Sequence, residues 1–162
     1  MIFASDLDRT LVYSKRAIED LGKDDSFVLK PIEKKADDWV AYMTETSYSA
    51  LKELAMNSLF IPVTTRTTEQ FNRFHIFKDD IPIKYAITSN GANIIYQGML
   101  LKDWSAHIIN RMTEESVTQE VLLTKLKKEG FIFDGQMKQA ENLFFYFILN
   151  GLPPASDLQV IH

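Results

Sequence analysis

The stretch IFASDLDRTL, residues 2–11, decides how the rest of this chain is interpreted. It begins with a short apolar run, as expected of a strand that is covered on both faces in a parallel sheet. Two carboxylates follow, Asp6 and Asp8, and residues two apart in an extended chain project from the same face. Neighbouring anions at the end of a buried strand are costly unless a cation or a substrate uses them. The stretch therefore predicts a ligand site where the first strand ends.

The composition is that of an ordinary globular domain. The chain has 162 residues, 46% of them hydrophobic and 25% charged, which is enough apolar material for a core. The net charge of -4 and the absence of a basic run argue against binding to nucleic acid or to a membrane surface. The one basic cluster, Lys125, Lys127 and Lys128, is interpreted as the solvated face of a helix. No cysteine, no signal-peptide pattern and no apolar stretch of about 18 residues is present, so we expect a cytoplasmic protein.

Apolar runs alternate with helical periodicity over the first hundred residues. We predict strands at 2–5 and 60–65, a hairpin or flap at 30–44, an amphipathic helix at 46–59, a helix-compatible stretch at 67–77, and a strand, Asn-Gly turn and further strand at 83–101. This order indicates crossovers that build a parallel sheet, and hence an α/β fold.

The pattern changes after residue 102. Helical periodicity that ends at Gly130 is followed by two apolar stretches, FIFDG at 131–135 and NLFFYFILNG at 142–151, which we interpret as paired strands. The favoured interpretation of 142–150 is a buried strand, and the alternative is a surface for self-association. We therefore predict an α/β core at 1–102 and an appended α+β segment at 103–162.

The two carboxylates allow a specific chemistry. Paired oxygen donors suit a hard cation such as Mg²⁺, one carboxylate can attack phosphorus, and the other can donate and accept a proton. The plainer alternative makes Asp6 a loop cap and Asp8 a turn residue. An isolated Asp-x-Asp pair leaves both interpretations open.

The full pattern, an apolar run followed by Asp-x-Asp-x-Thr, resembles the first signature of the haloacid dehalogenase (HAD) superfamily of phosphohydrolases. The resemblance implies a Rossmann-like core, with Asp6 as the nucleophile that forms an aspartyl-phosphate and Asp8 as the general acid and base. It also implies that Thr10 steadies the loop by a hydrogen bond, and that Mg²⁺ is held by the Asp6 carboxylate and the Asp8 main-chain carbonyl. The sequence departs from the family at Arg9, where members often carry glycine.

Two further stretches are similar to motifs of the same superfamily. In LFIPVTTRT, residues 59–67, Thr64 occupies the phosphate-binding position, and Thr65 and Arg66 follow it. In AITSNGANI, residues 86–94, Asn90 and Gly91 correspond to a segment beside the substrate, although the residues alone indicate a type I′ hairpin turn. A threonine at a strand end is equally typical of a plain cap. The combination is most similar to the Cof-type branch with an α/β cap, which includes sugar phosphatases and mannosyl-3-phosphoglycerate-phosphatase-like enzymes.

The lysine and the further aspartates of the later family motifs do not appear. Lys78, Asp79 and Asp80 are poor substitutes because they precede a predicted strand, at the wrong end of a sheet. The resemblance thus implies a chain truncated inside or just after the first half of its cap. Our first expectation is a Mg²⁺-dependent phosphatase acting on a small phosphorylated metabolite such as a sugar phosphate. The alternatives are an impaired domain that binds a phosphate ligand or a partner without turnover, and a purely structural module.

We expect exposed sheet-edge or cap surface to favour self-association.

Overall fold

A computed structural model describes residues 1–22, 27–130, 134–141 and 143–151. The strands in these residues are β1 (Ile2–Asp6), β2 (Tyr13–Ser14), β3 (Leu29–Lys35), β4 (Asp38–Thr44), β5 (Leu59–Val63), β6 (Tyr85–Thr88), β7 (Asn93–Tyr96), β8 (Met99–Leu100), β9 (Gly135–Ala140) and β10 (Phe144–Leu149). The helices are α1 (Lys15–Asp20), α2 (Glu45–Asn57), α3 (Thr68–Phe71), α4 (Ile76–Asp79), α5 (Lys102–Glu115) and α6 (Gln119–Lys128). The chain divides into two compact units, Met1–Ser105 and Ala106–His162. Within the described ranges, none of the helices has both the length and the apolar character that a membrane span requires.

The first unit is built on a mixed sheet with the strand order β1-β5-β6-β7-β8. β1 pairs with β5 in parallel and β5 pairs with β6 in parallel, whereas β7 and β8 are added in antiparallel orientation. The predicted α/β class is confirmed, and the architecture is compatible with a Rossmann-like fold. The parallel pairing predicted for the early strands and the hairpin predicted at 83–101 are both present, and short turns join β6, β7 and β8 because only antiparallel strands can be joined that way.

Strand β1 lies at the edge of this sheet. Among the described residues it pairs with β5 alone, and Ile2 and Phe3 leave 69% and 44% of their surface exposed. The prediction that this strand is covered on both faces is therefore wrong. A run of apolar residues indicates a strand but does not reveal how many neighbours flank it.

The pairing register aligns the ends of the parallel strands. Asp6, the last residue of β1, pairs with Val63, the last residue of β5, and Val63 pairs with Ile87 of β6. The amide of Thr64 then donates to the carbonyl of Ile87 at 2.9 Å. The carboxyl ends of three strands thus meet at one edge, which is where open α/β sheets bind ligands.

Helix α2 confirms the predicted amphipathic helix. Thr44 caps its first turn by accepting a hydrogen bond from the amide of Ser47, and Tyr48, Leu51 and Ala55 are buried at helical spacing. The helix-compatible stretch that follows β5 forms two short helices, α3 and α4, instead of one. Between and within these helices, phenylalanines 71, 74 and 77 pack against one another in the core, with ring centroids 5.5 to 6.1 Å apart.

The predicted hairpin at 30–44 is confirmed by strands β3 and β4, which pair in antiparallel orientation and are joined by β2 into a three-stranded sheet. Its register shifts on both sides of Glu33. Consecutive residues of a regular strand face opposite sides, yet here Ile32 and Glu33 are 0% and 3% exposed. A β-bulge therefore turns both side chains inward.

The connection after β6 differs from the predicted Asn-Gly turn. Thr88 pairs with Asn93, so four residues separate the strands, and Asn90 has φ 56° inside a short 3-10 turn at Ser89–Gly91. A two-residue turn of the expected kind occurs one hairpin later. Gln97 and Gly98 both have positive φ and join Tyr96 to Met99, which splits the predicted further strand into β7 and β8.

In the second unit, the predicted helices and strand pair are present with shifted limits. Gly130, with φ 76°, follows the end of α6 as expected of a helix terminator. β10 pairs with β9, which begins only at Gly135, while positions 131–133 and 142 lie outside the described residues. No residue of β10 is fully buried, because Tyr146 and Ile148 share an exposed face, so the favoured interpretation of a buried strand is wrong.

Candidate active site

Asp6 presents an exposed carboxylate at the end of β1. The hydroxyl of Thr10 donates to Oδ2 of Asp6 at 2.9 Å, and this bond closes the loop between them. The carbonyl of the buried Leu7 accepts from the amides of Leu11 and Val12 at 2.9 and 2.8 Å, which tightens the turn. The loop therefore has one fixed shape in which the Asp6 side chain faces solvent.

Arg9 occupies the tip of this loop with φ 60°. This left-handed conformation suits glycine, because a side chain adds strain there. The departure from the family pattern thus falls at a position whose backbone favours glycine. Arg9 tolerates the conformation at a cost in backbone energy of about 1 kcal/mol or more.

Asp8 is held by Arg66 in a two-point ion pair. Nε of Arg66 donates to Oδ2 of Asp8 at 2.8 Å, and a terminal guanidinium nitrogen donates to Oδ1 at 2.7 Å. Bidentate pairs of this kind are stronger and more directional than single contacts. Both oxygens of the expected general acid are therefore engaged by the side chain that was expected to contact substrate.

Arg66 is also held from its other side. Its second terminal nitrogen lies 2.8 Å from Oε2 of Glu33, and its guanidinium carbon lies 4.5 Å from the centre of the Phe74 ring. Burial lowers the pKa of Arg66, but the hydrogen bonds and charges of Asp8 and Glu33 outweigh burial and raise that pKa above its usual value. Arg66 is accordingly a permanent cation at the strand ends.

Thr64 is buried directly after β5. Its hydroxyl oxygen accepts from the amide of Arg66 at 3.1 Å, which bends the chain so that Arg66 turns towards Asp8. The hydroxyl hydrogen is available for a further acceptor, since this bond uses only the oxygen. Thr65, between them, is exposed.

The segment with Asn90 and Gly91 docks on the loop after β5. The amide of Asn90 donates to the carbonyl of Thr64 at 3.3 Å, and the amide of Ser89 donates to the carbonyl of Arg66 at 2.7 Å. Gly91 accepts a hydrogen bond from the indole of Trp104 at 3.0 Å. The structure thus links the predicted site residues in two connected groups, Asp6 with Thr10 and Asp8 with Arg66, Thr64 and Asn90.

A buried polar network supports this segment from below. Asn93 donates to the hydroxyl of Thr68 at 3.2 Å, and that hydroxyl lies 3.0 Å from the hydroxyl of Thr88. The hydroxyl of Ser105 donates to Oδ1 of Asn93 at 2.8 Å. Buried networks whose members are paired in this way restrict a loop to one conformation.

Oxygen donors for a metal are few. In the described part of the chain, no three histidine, cysteine or acidic side chains form a metal-binding group. Asp80, which precedes β6, interacts with Tyr48, whose pKa is raised by burial and by this carboxylate. The exposed carboxylate of Asp6 still fits Mg²⁺ chemically, because this ion often keeps several waters and binds through one or two carboxylates together with a substrate phosphate.

Glu33 and Arg73 belong to the same charged cluster and were missed from the sequence. Nε of Arg73 lies 3.1 Å from Oε1 of Glu33, as an ion pair without hydrogen-bond alignment. In KPIEKKADD, residues 30–38, an acidic residue among lysines is typical of a solvated strand. No local signal distinguishes this glutamate from an exposed one.

Comparison with known proteins finds neither a matching protein-family model nor a significantly similar curated protein. The resemblance to the HAD superfamily rests on the motifs quoted above, and its functional implications remain proposals.

Proposed function

We propose that this chain is a HAD-type phosphohydrolase that acts on the phosphate monoester of a small metabolite, such as a sugar phosphate. The observation that carries the proposal is the register of β1 and β5. Because Asp6 pairs with Val63, the exposed Asp6 carboxylate stands beside the strand end from which Thr64 extends. A nucleophile and a hydroxyl donor at adjacent parallel strand ends form a site suited to a phosphoryl group.

The proposed reaction has two displacements. In the first, a carboxylate oxygen of Asp6 attacks phosphorus, the bond from phosphorus to the ester oxygen breaks, and the leaving oxygen takes a proton from Asp8. In the second, water attacks the phosphorus of the aspartyl-phosphate while Asp8 takes its proton, which releases inorganic phosphate and restores Asp6. Thr10 orients the nucleophile, and the hydroxyl of Thr64 donates to a phosphoryl oxygen.

The negative charge of Asp6 disfavours an anionic ligand unless a cation offsets it. Asp6 is itself negative and would repel phosphate. Mg²⁺, held by the Asp6 carboxylate and the Asp8 main-chain carbonyl, would offset this charge. Arg66 adds a fixed positive charge close to Asp8, although its two carboxylate partners offset much of it.

The test compares the unmodified protein with Asp6→Asn on a broad panel of phosphate monoesters in the presence of Mg²⁺. We expect Asp6→Asn to lower kcat at least about 10³-fold, because the amide cannot form the aspartyl-phosphate. The matched control is Asp38→Asn, the same change at an exposed position of the hairpin. Equal rates for the protein and for Asp6→Asn would refute the proposal.

Binding of a phosphate ligand without turnover is the second candidate. It is favoured by the engagement of both Asp8 oxygens by Arg66, because an ion pair within the protein already occupies the expected acid. Titration with inorganic phosphate, with and without Mg²⁺, is followed by NMR at Asp6 and Thr64. Saturable shifts that Thr64→Val weakens, combined with no hydrolysis of the panel, support this candidate. If the titration gives no shifts and the panel is not hydrolysed, the remaining interpretation is a structural role.

A further inference from the structure

Glu33 is a buried carboxylate that the proposed reaction does not use. It lies on β3, outside the loops that carry the motif residues, and is 3% exposed. Burial of an anion is strongly unfavourable unless cations and hydrogen bonds compensate it. A protein that keeps such a charge has a partner for it, and here the partners are two arginines, Arg66 in the loop after β5 and Arg73 between α3 and α4.

The local backbone is shaped to bring Glu33 inward. The register of β3 against β4 shifts on each side of Glu33, and an isolated bridge joins Glu33 to Phe74. Without this bulge, the alternation of the strand would turn Glu33 away from the side that buries Ile32. Bulges beside active sites commonly re-aim a single side chain in this way.

Glu33 restrains the one edge of the Arg66 guanidinium that Asp8 does not hold. Nε and one terminal nitrogen of Arg66 face Asp8 at 2.8 and 2.7 Å, whereas the other terminal nitrogen faces Glu33 at 2.8 Å. The ring of Phe74 covers one face of the group at 4.5 Å. The guanidinium is therefore fixed along two edges and one face.

Arg73 completes the cluster from the other oxygen of Glu33. Its Nε lies 3.1 Å from Oε1, so each oxygen of Glu33 contacts a different arginine. The formal charges of Asp8, Glu33, Arg66 and Arg73 cancel. Glu33 consequently adds little net field at the strand ends, and its effect is mainly to set the orientation of its partners.

We propose that Glu33 is a positioning residue for the reaction at Asp6 and Asp8: it fixes Arg66 in the orientation in which the guanidinium aims the Asp8 carboxylate. This inference rests on the proposed function. The second displacement depends on the alignment of the Asp8 carboxylate with the attacking water, and errors of about 1 Å cost large factors in rate. Binding of phosphate at Asp6 and Thr64 does not depend on that alignment.

The test uses Glu33→Gln, which keeps the shape of the side chain and removes its charge. We expect kcat to fall about tenfold or more, while the Kd of inorganic phosphate changes less than about threefold. The matched control is Glu115→Gln, which removes the carboxylate of an exposed ion pair with Arg111 in the second unit. A kcat equal to that of the unmodified protein would overturn the inference, as would a parallel loss of phosphate affinity.

A readout that needs no turnover separates this inference from the proposed function. A guanidinium fixed on two edges gives separate NMR signals for its terminal nitrogens, assigned to Arg66 by their loss in Arg66→Lys. We expect Glu33→Gln to speed the exchange between these signals, because the ion pair with Asp8 then restrains the guanidinium without help from Glu33, and an unchanged exchange rate would overturn the inference. If the protein hydrolyses nothing, the proposed function fails and these signals still decide the positioning of Arg66. If Glu33→Gln does not fold, Glu33→Asp, which keeps the charge but withdraws it by one methylene group, is judged by the same readouts.

Discussion

Thr10 donates its hydroxyl to the Asp6 carboxylate at 2.9 Å, across three intervening residues. The bond orients the proposed nucleophile from within its own loop, so the orientation does not require the rest of the chain. Asp8, two residues after Asp6, is instead oriented by Arg66, which is 58 residues away in sequence. The two carboxylates of one motif therefore depend on different parts of the fold.

Replacement of Thr10 by valine removes the donor and keeps the shape of the side chain. We expect Thr10→Val to lower kcat by about 10- to 100-fold, because a freely rotating Asp6 carboxylate spends less time aligned with phosphorus. The measurement is steady-state hydrolysis of the best ester in the panel. The control is Thr113→Val, where the hydroxyl donates to the carbonyl of Ile109 on an exposed helix. Equal kcat values for Thr10→Val and this control would contradict the assigned role.

Loss of Arg66 should destabilise the fold because Glu33 is buried. Among the described residues, Arg66→Ala leaves Glu33 with Arg73 as its one ion-pair partner, and we expect the free energy of unfolding to fall by about 1.5–3 kcal/mol. Urea unfolding at neutral pH measures the change. In the double variant with Glu33→Gln, the loss should be smaller than the sum of the two single losses, since the unpaired charge is gone.

The matched control for this loss is Arg111→Ala. Arg111 also contacts a glutamate, Glu115 at 2.6 Å, but both side chains are more than half exposed. Exposed ion pairs contribute little to stability, so we expect Arg111→Ala to change the free energy of unfolding by no more than about 0.5 kcal/mol. Equal destabilisation by Arg66→Ala and Arg111→Ala would show that the buried cluster contributes no special stability.

The raised pKa of Tyr48 predicts that the folded protein loses stability in alkaline solution. Burial raises the pKa of Tyr48 above its usual 10.0, and a hydrogen bond and the negative charge of Asp80 raise it further. The folded state therefore holds the tyrosine proton more tightly than the unfolded state. The resulting stability is fully present below pH 10.0 and is lost as the pH rises through the higher pKa of the folded protein.

The free energy of unfolding of Tyr48→Phe should consequently fall less steeply above pH 10.0 than that of the unmodified protein. Denaturant unfolding at a series of alkaline pH values measures both slopes. Tyr146→Phe, at an exposed tyrosine of β10, controls for the substitution itself. Parallel curves for the unmodified protein and Tyr48→Phe would contradict this account.

The edge of β1 should allow two copies of the chain to associate. Its outer backbone groups have no strand partner among the described residues, and Ile2 is 69% exposed beside them. We expect sedimentation velocity to show dimers that increase with concentration, and Ile2→Lys to suppress them. The control, Met56→Lys, makes the same kind of change at a residue of α2 that is 62% exposed. A monomer over the whole concentration range would contradict the prediction.

Local patterns in the sequence predicted most elements of the first unit. The amphipathic period and Thr44 indicated α2, and the apolar run before Thr64 indicated β5. Both patterns depend on residues that are near in sequence, so they can be recognised without knowledge of the fold. The edge position of β1 was not predicted, because strand neighbours are chosen by contacts between distant segments.

The candidate site also has one part that the sequence indicated and one part that only the fold revealed. The sequence by itself, through its motif resemblance, indicated the bond between Asp6 and Thr10 and the position of Thr64, which involve residues close in sequence or at a strand end. Only the tertiary structure decided that Arg66 binds Asp8 and that Glu33 is buried against Arg66. The physical reason is that a bulge in β3 and the register of separate strands bring these charges together, and the desolvation of Glu33 is compensated only once both arginines are in place.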